Sequence, residues 1–258
     1  MGTFDFITSF YREFNGEKGI IGFSVEKRPI YYIMVEKTPR PLVLVQCAIH
    51  AREFITAKFC VREIEDFLEH GKTGQAVFIP CVNPDGVIIS ETADPLYKAN
   101  ANGVDLNVNF DARWGTGVKN VKERGAENFT GDFPFSEPET RALRDFTLLL
   151  RPDMTVSYHT KGEEIYYRFF QTGKILSRDR RLAKIVEKKT GYKIVDIKGS
   201  AGGYKDWCVE KLEIPAITIE AGSDEFSHPL TTDKALDDIT RKNLGITRDL
   251  IEGLIKWK

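Results

Sequence analysis

Leu42-Val43-Leu44-Val45-Gln46-Cys47-Ala48-Ile49-His50-Ala51-Arg52-Glu53 decides how this chain is read. The apolar run Leu42 to Val45 predicts a buried strand, and an imidazole and a carboxylate follow it three residues apart. Phe54 to His70 then predicts a helix, with Phe54, Ala57, Val61, Ile64 and Leu68 on one stripe. His50 and Glu53 therefore belong where a strand ends and a helix begins. A second apolar stretch, Met154-Thr155-Val156-Ser157-Tyr158, runs into His159, and a third, Ala216 to Ile219, runs into Glu220. Two histidines and one carboxylate are a usual ligand set for catalytic zinc, with one coordination position left open. A lone His-x-x-Glu arises by chance in many proteins; the later strand-end residues make this pattern specific.

Outward from that stretch, residues 30–36 and 41–47 read as neighbouring strands around Pro39-Arg40-Pro41. Val77 to Val82 is a further strand, and Asn83-Pro84-Asp85-Gly86 is a turn by composition. Asp111 to Phe135 is polar and lacks a period, so it reads as a long surface loop, a kind that tends to be functional or disordered. Ser136-Glu137-Pro138-Glu139 reads as a capping box opening a helix to Leu150. Helix and strand alternate afterwards: Ile175 to Thr190, Lys193 to Ile197, Tyr204 to Lys211, Ala216 to Ile219, and one amphipathic helix from Thr232 to Lys258. This alternation predicts an α/β fold, with a parallel or mixed sheet covered by helices on both faces. Sites in such folds gather at the carboxyl ends of strands, where His50, His159 and Glu220 all fall.

The chain has 258 residues, 41% of them hydrophobic, and no Pro-, Gly- or Ser-rich linker divides it, so one domain over 1–258 is expected. A net charge of −1 argues against a nucleic-acid partner, and the basic runs Arg178 to Arg181 and Lys188-Lys189 read as solvated helix faces. No stretch approaches the ~20 apolar residues of a membrane helix, and no secretory signal opens the chain, which leads us to expect a cytoplasmic protein. Cys47, Cys60, Cys81 and Cys208 have no metal-site spacing and read as reduced, buried thiols.

His50-Ala51-Arg52-Glu53, Asn83-Pro84-Asp85-Gly86, Gly103-Val104-Asp105-Leu106-Asn107, Ser157-Tyr158-His159 and Thr218-Ile219-Glu220 occur in the order of the zinc carboxypeptidase A-like family. The chain resembles that family from about residue 20 to 258. The resemblance implies a mixed, twisted sheet of about eight strands between helices and one catalytic zinc on His50, Glu53 and His159, with no separate propeptide domain expected ahead. A narrower resemblance is to bacterial γ-D-glutamyl-meso-diaminopimelate peptidases. It rests on Tyr97-Lys98-Ala99-Asn100, on His159-Thr160-Lys161-Gly162-Glu163 with Ile165-Tyr166-Tyr167, and on Ala201-Gly202-Gly203-Tyr204-Lys205-Asp206-Trp207.

By resemblance Glu220 is the general base, Arg52 binds a substrate carbonyl, and Lys98 replaces the arginine that balances the oxyanion. Asn107 matches an Asn that holds the substrate carboxylate, whereas Val108 replaces the Arg that clamps a free C-terminal carboxylate. Lys205, beside Tyr204, falls in the pocket for the leaving residue, where a lysine favours a carboxylate-bearing group. Lys198 replaces a mobile tyrosine, and Arg113, Trp114 and Lys161 are candidates to line the cleft. The expected partner is a peptide derived from the cell wall, cut beside a diaminopimelate-like or anionic residue. Two alternatives stay open: a carboxypeptidase of ordinary peptides with acidic C-terminal residues, and an inactive relative that binds peptides.

Overall fold

The computed structural model describes residues 1–125 and 127–256. The chain runs α1 (Thr3–Glu13), β1 (Glu17–Phe23), β2 (Pro29–Glu36), β3 (Leu42–Cys47), α2 (Ile55–His70), β4 (Gln75–Ile79), α3 (Pro84–Thr92) and α4 (Pro138–Leu150). It continues as β5 (Met154–His159), β6 (Glu164–Tyr166), α5 (Gly173–Thr190), β7 (Lys193–Ile194), α6 (Tyr204–Leu212), β8 (Ala216–Glu220), α7 (Asp233–Asn243) and α8 (Ile246–Ile255). One eight-stranded mixed sheet has the order β1-β2-β4-β3-β5-β8-β6-β7. Its four central strands, β4, β3, β5 and β8, are parallel.

Parallel strands buried on both faces need apolar side chains on both, so β3 shows no polar alternation. All six of its residues are buried. Val43, Val45 and Cys47 pack with α2, α5 and α8 on one face, and Leu42 and Leu44 pack with α4 and α6 on the other. The four cysteines are free and buried, as expected. The chain leaves β3 toward β4 on one side and later returns as β5 on the other. The crevice where connections diverge thus opens at the carboxyl ends of β3 and β5, next to β8.

Several sequence expectations need correction. The strands at 30–36 and 41–47 are not neighbours, because β4 inserts between them. Asn83-Pro84-Asp85-Gly86 is the start of α3, with the Asn83 side chain accepting from Gly86 N at 3.0 Å and Pro84 in the first turn. The capping box does not form, since Glu137 is the N-cap of α4 and makes no side-chain cap bond, while the Ser136 hydroxyl donates to Glu137. The final helix is two, broken at Gly245 (φ +86°), and the last residues assigned to it, Trp257 and Lys258, lie outside the described residues. Buried Glu63 of α2 explains the break: it accepts from Gly245 N (2.8 Å) and Thr247 N (2.9 Å), capping the freed N-terminus of α8. The loop from Asp111 to Phe135 carries no helix or strand among its described residues, beyond a single Val121–Phe129 bridge. No helix among the described residues is long and apolar enough to cross a membrane.

Candidate metal centre and cleft

His50 follows β3 in extended conformation, and Ala51–Glu53 form one tight 3-10 turn. Residues three apart eclipse in such a turn, so the His50 and Glu53 side chains face the same way. Thr56 locks the turn, donating to Glu53 O (2.8 Å) while accepting from Ala48 N (2.9 Å). Asn83 holds it from below, its side chain donating to Ile49 O (3.2 Å) and Ala99 O (3.0 Å), while Ala51 N donates to Lys98 O (3.0 Å). His159 ends β5, directly opposite Glu220 at the end of β8.

The three expected ligands converge and are all buried. His50 Nδ1 lies 2.9 Å from Glu53 Oε1 and 3.1 Å from His159 Nδ1, which in turn lies 2.9 Å from Glu53 Oε2. Ligand atoms about 2.0–2.1 Å from a tetrahedral zinc sit roughly 3.3 Å apart, close to these spacings. Two ring nitrogens facing each other make a poor hydrogen bond but a good cation cradle. The other nitrogen of His50 lies 3.1 Å from Asp105 Oδ1, the carboxylate–histidine arrangement that fixes a ligand's tautomer. The residues therefore fit zinc.

Electrostatics follow from burial. Burial pulls the His50 imidazolium down, but the carboxylates of Glu53 and Asp105 overcome this and hold it up to about 9. Burial would raise Glu53, yet His50 and His159 keep it far below the usual carboxylate range. Burial lowers His159. Burial, then the negative charge of Glu53, pushes the Glu220 carboxyl up to about 8. A cation on the adjacent ligands would draw Glu220 back down.

One cleft is lined by His50, Arg52, Lys98, Val108, Lys198 and Glu220, with Asn107 and Lys161 also at its wall. A pocket of about 100 Å³ opens from it, sharing Asn107, Tyr166, Ser200 and Glu220 and containing Lys205. Lys205 is already engaged there: its ammonium pairs with Asp206 and donates to Arg168 O at 2.9 Å. Tyr204 is a correction. Its side chain is wholly buried against Phe110 and Trp207 with its hydroxyl 2.9 Å from that of Thr147, so it faces the core and not substrate. Asn107 Oδ1 accepts from Tyr204 N (3.1 Å), joining the two motifs. Arg113 and Trp114 do not line the cleft either; Arg113 pairs with Glu210 and stacks on Phe170, and Trp114 bonds Thr130 O.

Some residues of the site carried no role in the sequence reading. Asp105 bridges His50 and Lys98, the latter at 2.8 Å, and its only signal was membership of a quoted motif. Glu127 pairs with Arg52 (2.8 Å) and Asn128 accepts from Lys98 (2.9 Å), both from the loop that showed no period. Tyr166 sits where cleft and pocket join.

The sequence profile of the zinc carboxypeptidase family matches residues 16–244. The chain belongs to this family. Among curated zinc carboxypeptidase relatives, gamma-D-glutamyl-L-diamino acid endopeptidase 1 of Lysinibacillus sphaericus is 27% identical, over 88% of this chain and 65% of that protein. Human carboxypeptidase O is 26% identical over 72% of this chain and 59% of its own length. The chain thus spans under two thirds of these relatives. Two solved structures share the zinc carboxypeptidase fold. Bovine thrombin-activatable fibrinolysis inhibitor, in complex with tick carboxypeptidase inhibitor, has a TM-score of 0.86 at 22% identity, covering 99% of this chain and 95% of that one. The murein-tripeptide amidase MpaA from Escherichia coli O157 has a TM-score of 0.65 at 24% identity, covering 94% of each chain.

Proposed function

We propose that this protein is a zinc-dependent peptidase hydrolysing an amide bond beside a diaminopimelate-like residue, the γ-D-Glu–meso-diaminopimelate bond of a cell-wall peptide. The observation that carries the hydrolytic reading is the buried His50–Glu53–His159 cradle with Glu220 in register beside His159. Zinc, when bound there, is a Lewis acid that polarises a carbonyl and makes water acidic near neutral pH. Glu220 takes the proton of the attacking water on its carboxylate and passes it to the leaving amine. Its position at the end of β8, in register with His159, sets it beside the ligands, where a bound cation would draw its carboxyl down toward the anion that a base requires. Lys98 and Arg52 offer positive charge to the developing oxyanion and the substrate carbonyl, each held in place from outside by Asp105 or Glu127.

The choice of leaving residue rests on the cleft. Val108 stands at its wall in place of a carboxylate clamp, so a free α-carboxylate finds no bidentate partner there. Asn107 and Lys205 offer donors deeper in, and the Lysinibacillus relative is named for a γ-D-glutamyl diamino acid bond. A carboxypeptidase of ordinary acidic C-termini is a second reading, favoured by Lys161 and Lys198 lining the cleft. The site in the cell that suits the proposed substrate is the cytoplasm, where imported wall fragments are recycled. Mass spectrometry of zinc-loaded protein with L-Ala-γ-D-Glu-meso-diaminopimelate and with an ordinary peptide ending in glutamate tests these readings. Free diaminopimelate from wild type, lost by about 10²-fold or more in Glu220→Gln, is the expected result. Cleavage of the ordinary peptide alone would establish the second reading, and silence on both would make the chain a binding relative.

A further inference from the structure

Strand β6 runs antiparallel beside β8, with Glu164 opposite Glu220 and Tyr166 opposite Thr218. Directly opposed residues share a face of the sheet, as do residues two apart on one strand. Glu164 and Tyr166 therefore stand on the same face as the proposed base. Tyr166, Thr218 and Glu220 all line the leaving-residue pocket, while Phe169, Val195 and Ile197 supply apolar wall. The Tyr166 hydroxyl donates its proton to Glu164 Oε2. Burial, then that bond, raises the phenol's pKa, so the proton stays on it. With its proton spent on a carboxylate, the phenol oxygen can only accept from anything in the pocket, and the carboxylate behind it strengthens that acceptor.

Lys205, in the same lining, has the opposite character. It spends two of its three N–H donors on Asp206 and on Arg168 O, leaving one for a ligand. Asp206 is fully buried and accepts from Lys205 and from Gly203 N (3.2 Å), which fixes the ammonium in the pocket lining. An acceptor and a donor lining one pocket together with apolar surface suit a methylene chain ending in both an ammonium and a carboxylate.

We propose that this pocket reads a zwitterion, with Lys205 taking the carboxylate and Tyr166, backed by Glu164, taking the ammonium of a diamino dicarboxylic acid. The inference rests on the proposed function for its choice of leaving residue and adds the residues that recognise the second amine. Its test is calorimetric binding of free meso-diaminopimelate and of 2-aminopimelate, which lacks one amine, to zinc-loaded wild type, Tyr166→Phe and Glu164→Gln. Turnover of the tripeptide is followed in parallel.

Wild type should prefer meso-diaminopimelate about tenfold, the worth of one charge-assisted hydrogen bond, and Tyr166→Phe should erase that preference. Tyr166→Phe removes one oxygen from a half-buried ring, and a melting temperature within a few degrees of wild type shows that it folds. Equal binding of the two ligands by wild type, or a preference untouched in the folded Tyr166→Phe protein, overturns the inference even if the tripeptide is cleaved. A preference lost in Tyr166→Phe without any tripeptide cleavage upholds it and instead removes the hydrolytic reading.

Discussion

Asp105 shows how much a single carboxylate can organise. It accepts from Asn107 N (3.0 Å) at the head of a short turn, orients His50 through one oxygen, and holds the Lys98 ammonium with the other. Burial would raise its pKa, but Lys98 and His50 keep it far below the usual range, so it remains an anion throughout the neutral region. Asp105→Asn keeps the shape but can present an N–H to His50, favouring the wrong tautomer. Loss of such an outer partner costs about 10–100-fold in metal affinity. Competition with a fluorescent zinc chelator should show a drop of that size, and an unchanged affinity would mean that His50 is oriented by packing alone. The residues proposed to bear chemistry directly are readable in the sequence because His159 and Glu220 end apolar strands and His50 and Glu53 follow one. Asp105 and Glu127 are not, because they meet His50, Lys98 and Arg52 only in the folded chain, and Tyr166 is not, because only the pairing of β6 with β8 brings it beside Thr218 and Glu220.

At the level of elements, the same contrast recurs between β3 and α3. The buried apolar runs of β3, β5 and β8 are long enough to declare themselves, and with them the carboxyl-end position of the ligands. Asn83-Pro84 is the opposite case, since an Asn cap followed by Pro is helix-start chemistry and has the composition of a turn. Neither α1 nor β1 was foreseen; β1 is an edge strand with no fully buried residue and no alternation of apolar and polar positions. At the head of α4, Glu139 is fully buried and accepts from Asn100 Nδ2 (3.1 Å) and Val25 N (3.2 Å), with Glu137 sharing the same Asn100. Burial outweighs these bonds and pushes its carboxyl up to about 7. A raised carboxyl contributes stability that is full below its ordinary value of 4.5 and lost as pH rises through about 7. The loss is on the order of 3 kcal/mol, or roughly 6–12 °C for a chain of this size. Glu139→Gln should flatten the melting temperature across that window, and a slope identical to wild type would assign the pH dependence elsewhere.

The whole molecule sets the terms on which metal is taken up. In the metal-free chain His50 is held as an imidazolium by Glu53 and Asp105, so the cradle is satisfied by internal ion pairs and need not collapse. Zinc requires the neutral imidazole and must therefore expel a proton from His50 below about 9. The raised imidazolium stabilises the metal-free fold fully below its ordinary value of 6.5, and that contribution is lost as pH rises through about 9. Zinc binding moves the other way, strengthening as the competing proton leaves. Binding to the folded state adds RT ln(1 + [Zn]/Kd), about 4 kcal/mol when zinc is a thousandfold above Kd. The gap in melting temperature between zinc-loaded and chelator-treated protein should thus widen steadily from pH 6.5 to 9. Calorimetric titration at pH 7 in buffers of different ionisation enthalpy should show one proton released per zinc from His50, and up to a second as the bound cation draws Glu220 back down. A gap independent of pH, with no buffer dependence, would mean that His50 is already neutral in the metal-free chain and that its two carboxylate neighbours serve packing alone.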